Sequence, residues 1–342
     1  MLLKNWSFFF RRYVSYFALL LCFFCLFPPS LFSENIKILS GTAHPKLAEK
    51  IAQTLNGQLV DINIKSFQDQ ETDISILDNI SHQKIYVIQS TCTPSNQHLM
   101  ELFLLLDALK RSAVNDITVC IPYYGYARQD RQPQYGTPIS AKLVANLLKK
   151  AGAKRIVTFD LHAPQIEGFF DIPIYHLSIL PLFTQDIQTR FAKDLRSNQC
   201  MIISPDAGGV KRASKVAKSL NCHFAVIDKK RDAPGSIEQM QILGNLTGKK
   251  CIIIDDMADS SGTLCRAAQT LIDSGALEVH AYCTHGVLSG KAPERIDQSQ
   301  LTSLTLSNTI PIPLYKQKNK IRVLSVHNDL AHIIQKIHNR SS

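Results

Sequence analysis

At 342 residues, with 45% apolar and 19% charged residues, the chain is long enough for two ordinary domains, and its composition excludes extensive disorder. The formal charge of +10 comes from Lys and Arg scattered along the chain, without zinc-finger spacing, an RNA-binding signature or a basic arm, which favours anionic small molecules over nucleic acid as partners. The nine cysteines are mostly isolated in apolar runs, as at Cys120, Cys251 and Cys283, and the close pair Cys22 and Cys25 has no polar neighbour to complete a zinc site, so the pattern points to buried thiols in a reducing compartment.

In chain order, the first element is "MLLKNWSFFFRRYVSYFALLLCFFCLFPPSLFS", a basic start followed by an apolar run. It reads as a signal-like segment, a marginal membrane anchor or an upstream translation start, and the fold is expected to begin near Asn35. Further along, the apolar strand "ITVCIP" leads into a long basic and aromatic loop, "YYGYARQDRQPQYGT". The helix "SAKLVANLLKK" follows, with Leu143, Val144, Leu147 and Leu148 as its apolar face. Next comes "AGAKRIVTFDLH" (residues 151–162), in which Gly152 suits a helix C-terminal cap.

The same form recurs. The strand "CIIIDD" is followed by a short acidic loop, the helix "TLCRAAQTLID" and then "SGALEVHAYCTH" (residues 274–285). Both segments run small-Gly-Ala, apolar strand, then His ten residues after the Gly. Strands alternating with helices imply parallel sheets built from right-handed crossovers, here as two duplicated α/β domains. Ligands in such sheets bind beyond the carboxyl ends of the strands. Both loops are therefore candidate sites, one long and basic, the other short and acidic. By the same matching, His285 is expected to be structural.

The acidic loop, "DDMADSSGTL", combines two kinds of group. The turn Ser260, Ser261, Gly262 and Thr263 opens a helix, so its amides, hydroxyls and dipole suit a phosphate. Asp255, Asp256 and Asp259 are poor phosphate ligands but good acceptors for sugar hydroxyls and Mg²⁺ waters. Together they fit a phosphorylated sugar. In "YARQDR", Arg128 offers a planar cation for stacking or forked phosphate binding. In "DKKR", Lys229 and Arg231 would share one side of an extended backbone.

The acidic loop resembles the ribose-phosphate loop of type I phosphoribosyltransferases. With "IPYYGYARQDR", "DLHAPQIEGFFDIP", "SPDAGGVKRA" and "AVIDKKR" in this order, the chain from about Asn35 onward resembles the ribose-phosphate diphosphokinase (phosphoribosyl diphosphate synthetase) family. The resemblance implies transfer of the β,γ-diphosphoryl group of Mg-ATP to the C1 hydroxyl of ribose 5-phosphate, for nucleotide biosynthesis. It implies an α/β fold of two type I phosphoribosyltransferase-like domains, residues 35–178 and 179–326. Residues 1–34 stand outside it, and a final helix (residues 327–342) is expected to pack back on the first domain.

Residue by residue, the resemblance gives catalysis to Lys229 and Arg231. It gives ATP to Arg128 and Gln129, with Phe67, Asp69, Gln70 and Glu71 reaching the ATP of a neighbouring subunit. Ribose 5-phosphate falls to Arg231, Asp255, Asp259, Ser260, Ser261, Gly262 and Thr263, and Mg²⁺ to His162 and Asp206. It further implies a homo-oligomer, a hexamer in the family, in the cytoplasm, without nucleic acid and with membrane contact only through residues 1–34. Two departures stand out. "QPQYG" follows Arg131 where relatives carry several basic residues, and Gln70 replaces the usual Gly in "FQDQE". A non-catalytic regulatory subunit of the same fold, or an ordinary phosphoribosyltransferase, are the alternatives.

Overall fold

Runs of apolar residues that pair in parallel set the architecture. The computed structural model describes residues 35–230, 239–243 and 245–340, with the side chains of all these except 228–230, 239–241 and 243. The expected N-terminal segment, residues 1–34, lies outside the described residues. In chain order the strands are β1 (Lys37–Ser40), β2 (Gln58–Leu59), β3 (Ile62–Ser66), β4 (Thr72–Ile76), β5 (Lys84–Ile88), β6 (Asp116–Ile121), β7 (Arg155–Phe159) and β8 (Ile174–Leu177), then β9 (Cys200–Ser204), β10 (His223–Lys230), β11 (Gln239–Leu243), β12 (Lys250–Ala258), β13 (Glu278–Gly286), β14 (Ser303–Ser307) and β15 (Ile321–Leu324). The helices are α1 (Pro45–Leu55), α2 (Ser95–Arg111), α3 (Ser140–Ala151), α4 (Leu180–Arg190), α5 (Ala192–Arg196), α6 (Val210–Leu220), α7 (Gly262–Asp273), α8 (Ala292–Gln298) and α9 (His327–Arg340).

The first sheet has the order β2-β1-β5-β6-β7-β8 and is parallel throughout. The second has the order β11-β10-β9-β12-β13-β14-β15, parallel except for the β10–β11 pair. Strands β3 and β4 form a separate antiparallel ribbon. This is the α/β fold expected of the chain, two mostly parallel sheets flanked by helices. The central strands are buried on both faces, as parallel sheets between helices require; β9 and β14 are buried at every position.

The matched segments occupy equivalent places. Gly152 ends α3 with φ 134° and Gly275 follows α7 with φ 96°, both backbone shapes that favour glycine. The strands that follow differ in length. β7 has 5 residues and releases its chain before His162, whereas β13 has 9 and encloses His285. His285 is buried, with Nδ1 2.9 Å from Thr309 Oγ1 and Nε2 3.2 Å from the Asp160 carbonyl oxygen.

One expectation needs correcting. On α3 the buried row is Ala141, Val144, Ala145 and Leu148, while Leu143 and Leu147 are 55% and 41% exposed. Helical spacing finds an apolar stripe but does not say which edge of a wide stripe meets the sheet. With Ile139, those leucines form an exposed apolar row.

The two sheets share a core. Tyr86, Cys120 and Phe159 from the first meet Ile202, Ile254 and Tyr282 from the second in one cluster of buried residues. Helix α9 packs on α1, and His338 Nδ1 lies 3.3 Å from the Tyr86 hydroxyl of the first sheet. Residues 36–342 form one compact unit, and we propose that the two-domain division at residues 178/179 describes its duplication. The seven described cysteines are all free, and Cys120, Cys251 and Cys283 are buried. Among the described residues no helix is long and apolar enough to cross a membrane.

Asp160 joins the halves. It is buried at the end of β7, with Oδ2 accepting from Thr284 Oγ1 at 2.6 Å and from the Ile179 amide at 3.4 Å. Asp160→Ala strands both donors in the interior and is expected to lower stability by about 1–3 kcal/mol. A urea unfolding curve with an unshifted midpoint would remove this role.

Candidate active site

The acids of the short loop stand where the strand outruns a neighbour. β12 pairs with β9 only as far as Ile253 and Ile203, and Asp255 and Asp256 lie beyond that point. Burial pushes the Asp255 carboxyl well above the usual carboxylate range, and the neighbouring charge of Asp256 adds to the effect. Burial acts on Asp256 in the same direction, but the hydrogen bond from His162 and the charge of Arg212 outweigh it and hold Asp256 far below that range. The pair is therefore unequal. Burial favours the neutral form of Asp255, while His162 and Arg212 favour the charged form of Asp256.

After β12 the chain turns sharply into α7. Ser261 takes a left-handed conformation (φ 58°) and is only 5% exposed, and its Oγ has no hydrogen-bond partner. No side chain caps α7, so the first amides of the helix point toward the same place as its dipole. Those are the features of an anion site.

Side chains from the first half reach this loop directly. Arg128 Nη1 donates to Asp259 Oδ2 at 2.6 Å. Burial pushes the Asp259 carboxyl up, but hydrogen bonds from Ser289 and Arg128 bring it below the usual range. His162 Nδ1 donates to Asp256 Oδ2 at 2.9 Å, and that bond holds the imidazole pKa up. Gln129 is partly occupied by structure: its side-chain oxygen accepts from Ser140 Oγ at the start of α3. Its amide nitrogen is the part left for a ligand.

Other expected residues lie further out. Asp206 sits in the turn before α6, its Oδ1 accepting from the Gly209 amide at 3.0 Å. Lys229 lies on β10, but its side chain and the whole of Arg231 lie outside the described residues. Phe67, Asp69, Gln70 and Glu71 form the tip of the β3–β4 ribbon, beside α2. Phe67 is 58% exposed. Gln70 adopts φ 71°, the left-handed shape that glycine would take without strain. The tight turn is closed by the Phe67 amide donating to the Glu71 carbonyl at 2.8 Å. Replacing Gln70 by Gly is expected to be neutral or to stabilise by up to about 1 kcal/mol, since relief of strain is offset by chain entropy. Gln70→Val should cost about 1–3 kcal/mol; thermal unfolding of the two variants in the opposite order would contradict this turn.

Arg212 was not assigned from sequence, although it stands in the quoted "SPDAGGVKRA". Its Nη1 lies 3.6 Å from Asp255 Oδ1 and 3.5 Å from Asp256 Oδ1. A signal existed: a cation in the first turn of α6 opposes the helix dipole and calls for nearby acids. With His162, Arg212 brackets Asp256 from two sides. Among the described residues no three His, Cys, Asp or Glu side chains form a metal-binding group. A carboxylate-oriented imidazole is nevertheless the usual setting of a metal-ligating His, and a hard cation would complete its shell with ligand oxygens and water.

Comparison with known proteins fits this arrangement. Residues 36–152 match the family model for the N-terminal domain of ribose phosphate pyrophosphokinase, and residues 230–342 match the phosphoribosyl synthetase-associated domain. A ribose-phosphate pyrophosphokinase from Cereibacter sphaeroides is 49% identical over 280 residues, 80% of this chain and 83% of the relative. The chain belongs to the ribose-phosphate pyrophosphokinase family. The pyrophosphokinase from Bacillus subtilis is 46% identical over 309 residues, 90% of this chain and 96% of that one. The crystal structure of phosphoribosylpyrophosphate synthetase from Mycobacterium smegmatis has a TM-score of 0.84 at 37% identity, covering 90% of this chain and 100% of that chain. The ribose-phosphate pyrophosphokinase fold thus spans both sheets and both loops of the site.

Proposed function

We propose that this site transfers the β,γ-diphosphoryl group of Mg-ATP to the C1 hydroxyl of ribose 5-phosphate, giving 5-phosphoribosyl 1-diphosphate and AMP. The observation that carries the reading is the meeting, in a member of this family, of the acidic turn before α7 with Arg128 and His162 from the other half.

The turn residues Ser260, Ser261, Gly262 and Thr263 hold the 5-phosphate through amides and hydroxyls. Asp255 and Asp259 accept from the ribose hydroxyls, while Asp256 orients His162. Arg128 and the Gln129 amide serve ATP. The Arg128–Asp259 ion pair sets the nucleotide side directly against the sugar side, so the attacking hydroxyl and the β-phosphorus are brought together by residues already in contact. His162 and Asp206 would hold Mg²⁺, which would supply positive charge to neutralise the polyphosphate. Lys229 and Arg231 meet the charge that develops on the moving group, the main requirement of phosphoryl transfer.

Phe67, Asp69, Gln70 and Glu71 reach the ATP of a neighbouring subunit in this reading, which makes the protein a homo-oligomer, a hexamer by resemblance. The exposed Phe67 and the apolar row of Ile139, Leu143 and Leu147 support such contacts. The substrates place the reaction in the cytoplasm. Incubating the purified chain with Mg-ATP and ribose 5-phosphate should release AMP in step with 5-phosphoribosyl 1-diphosphate. Absence of AMP would instead favour a non-catalytic subunit of the same fold.

A further inference from the structure

Two guanidinium groups stand beside the phosphate turn, and no motif drew attention to them. A Cβ placed on Gly262 would lie 3.6 Å from Nη1 of both Arg266 and Arg295, and 3.9 Å from Ser260 Oγ. Arg266 rises from α7 itself. Arg295 comes from α8, which packs against α7, and its carbonyl lies 3.8 Å from Cys265 Sγ. Arg295 Nη1 also donates to the Ser260 carbonyl. That bond ties Arg295 to the turn itself. The buried Ser261 Oγ, without a partner, completes the cradle.

The charges around the turn are otherwise adverse. Asp255, Asp256 and Asp259 lie within a few residues, while the α7 dipole supplies only about half a positive charge. A phosphate monoester carries roughly −1.5 to −2 charge near neutral pH, its second pKa being about 6. Amides and hydroxyls do little to separate the dianion from the monoanion. Two arginines do, because each carries a full charge and a forked donor set.

We propose that Arg295, assisted by Arg266, is a specificity determinant for the dianionic 5-phosphate of the sugar substrate. Arg295 shapes the turn through Ser260 and adds the charge that the amides lack. The inference rests on the turn being the sugar-phosphate site.

The test compares Arg295→Ala, Arg295→Lys and Gly262→Ala with the wild type in steady-state AMP release at saturating Mg-ATP. Arg295→Ala is expected to raise KM for ribose 5-phosphate about tenfold or more, with a far smaller change in kcat and in KM for ATP. Lys should restore part of the loss through its charge. Gly262→Ala should fold, since its methyl would make ordinary contacts at 3.6 Å or more, and should raise the same KM by filling the cradle.

A pH series gives the decisive readout. In the wild type, the apparent affinity should fall as pH drops through about 6, where the substrate gains its second proton; in Arg295→Ala that slope should flatten. A KM within twofold of wild type, or a loss of thermal stability with the slope intact, would overturn the proposal. If the wild type releases no AMP, the proposed reaction fails but this inference does not. Calorimetric binding of ribose 5-phosphate would then decide it by the same affinity ratio and the same pH slope.

Discussion

Lys229→Ala is expected to lower kcat by roughly 10³-fold or more, with much smaller effects on KM for ribose 5-phosphate. The backbone supports this placement. Strand β10 pairs in parallel with β9 only from His223 to Val226, then continues against β11, where Lys229 faces Met240. Lys229 thus stands past the carboxyl end of the parallel sheet, the side on which this class of fold binds ligands, and on a two-stranded extension rather than in the sheet body. The proposed role of Lys229, meeting charge on the transferred group, requires this end of the sheet. Burst and steady-state measurements of AMP release separate the chemical step from product release. An unchanged rate of the chemical step would remove Lys229 from catalysis.

Arg212→Ala should act on both stability and the sugar site. The side chain is only 19% exposed and stands between Asp255 and Asp256. Without it, two adjacent carboxylates face each other with His162 as their remaining cationic partner, at a cost of about 2 kcal/mol for a partly buried group. In the proposed reaction Asp255, which accepts from ribose, and Asp256, which orients His162, also lose their bracket, so kcat/KM for ribose 5-phosphate should fall roughly 100-fold. Arg212→Lys should recover part of it, because charge is retained while the planar fork is lost. Unfolding curves and kinetics that both match the wild type would show that the 3.5 Å and 3.6 Å approaches contribute nothing.

Much of this was legible in the residues. The matched Gly-to-His spacing located two equivalent strand-helix units, and glycine's tolerance of positive φ is what fixes Gly152 and Gly275. The turn into α7 was legible as a candidate anion site because Ser260 to Thr263 combine small size with hydroxyls at a helix start. What stayed hidden depended on lengths and packing. Nothing in the local pattern says that β13 continues through His285 while β7 stops before His162, yet that difference makes one histidine structural and leaves the other at the site. The buried edge of α3 was misjudged for a related reason, since Leu143 and Val144 are neighbours on one broad apolar face. Arg212 and Arg295 were missed because each acts across a gap in sequence, on acids or a carbonyl many residues away. Their pairing exists only after the strands are assembled.

The core shared by the two sheets limits how this protein can come apart. Tyr86 and Phe159 share one buried cluster with Ile254 and Tyr282, and α9 carries the end of the chain back to α1. A half made alone would expose apolar residues that the whole chain buries, so it is expected to be less soluble than the intact protein. The first half therefore gains its full apolar cover only once the second half has been made.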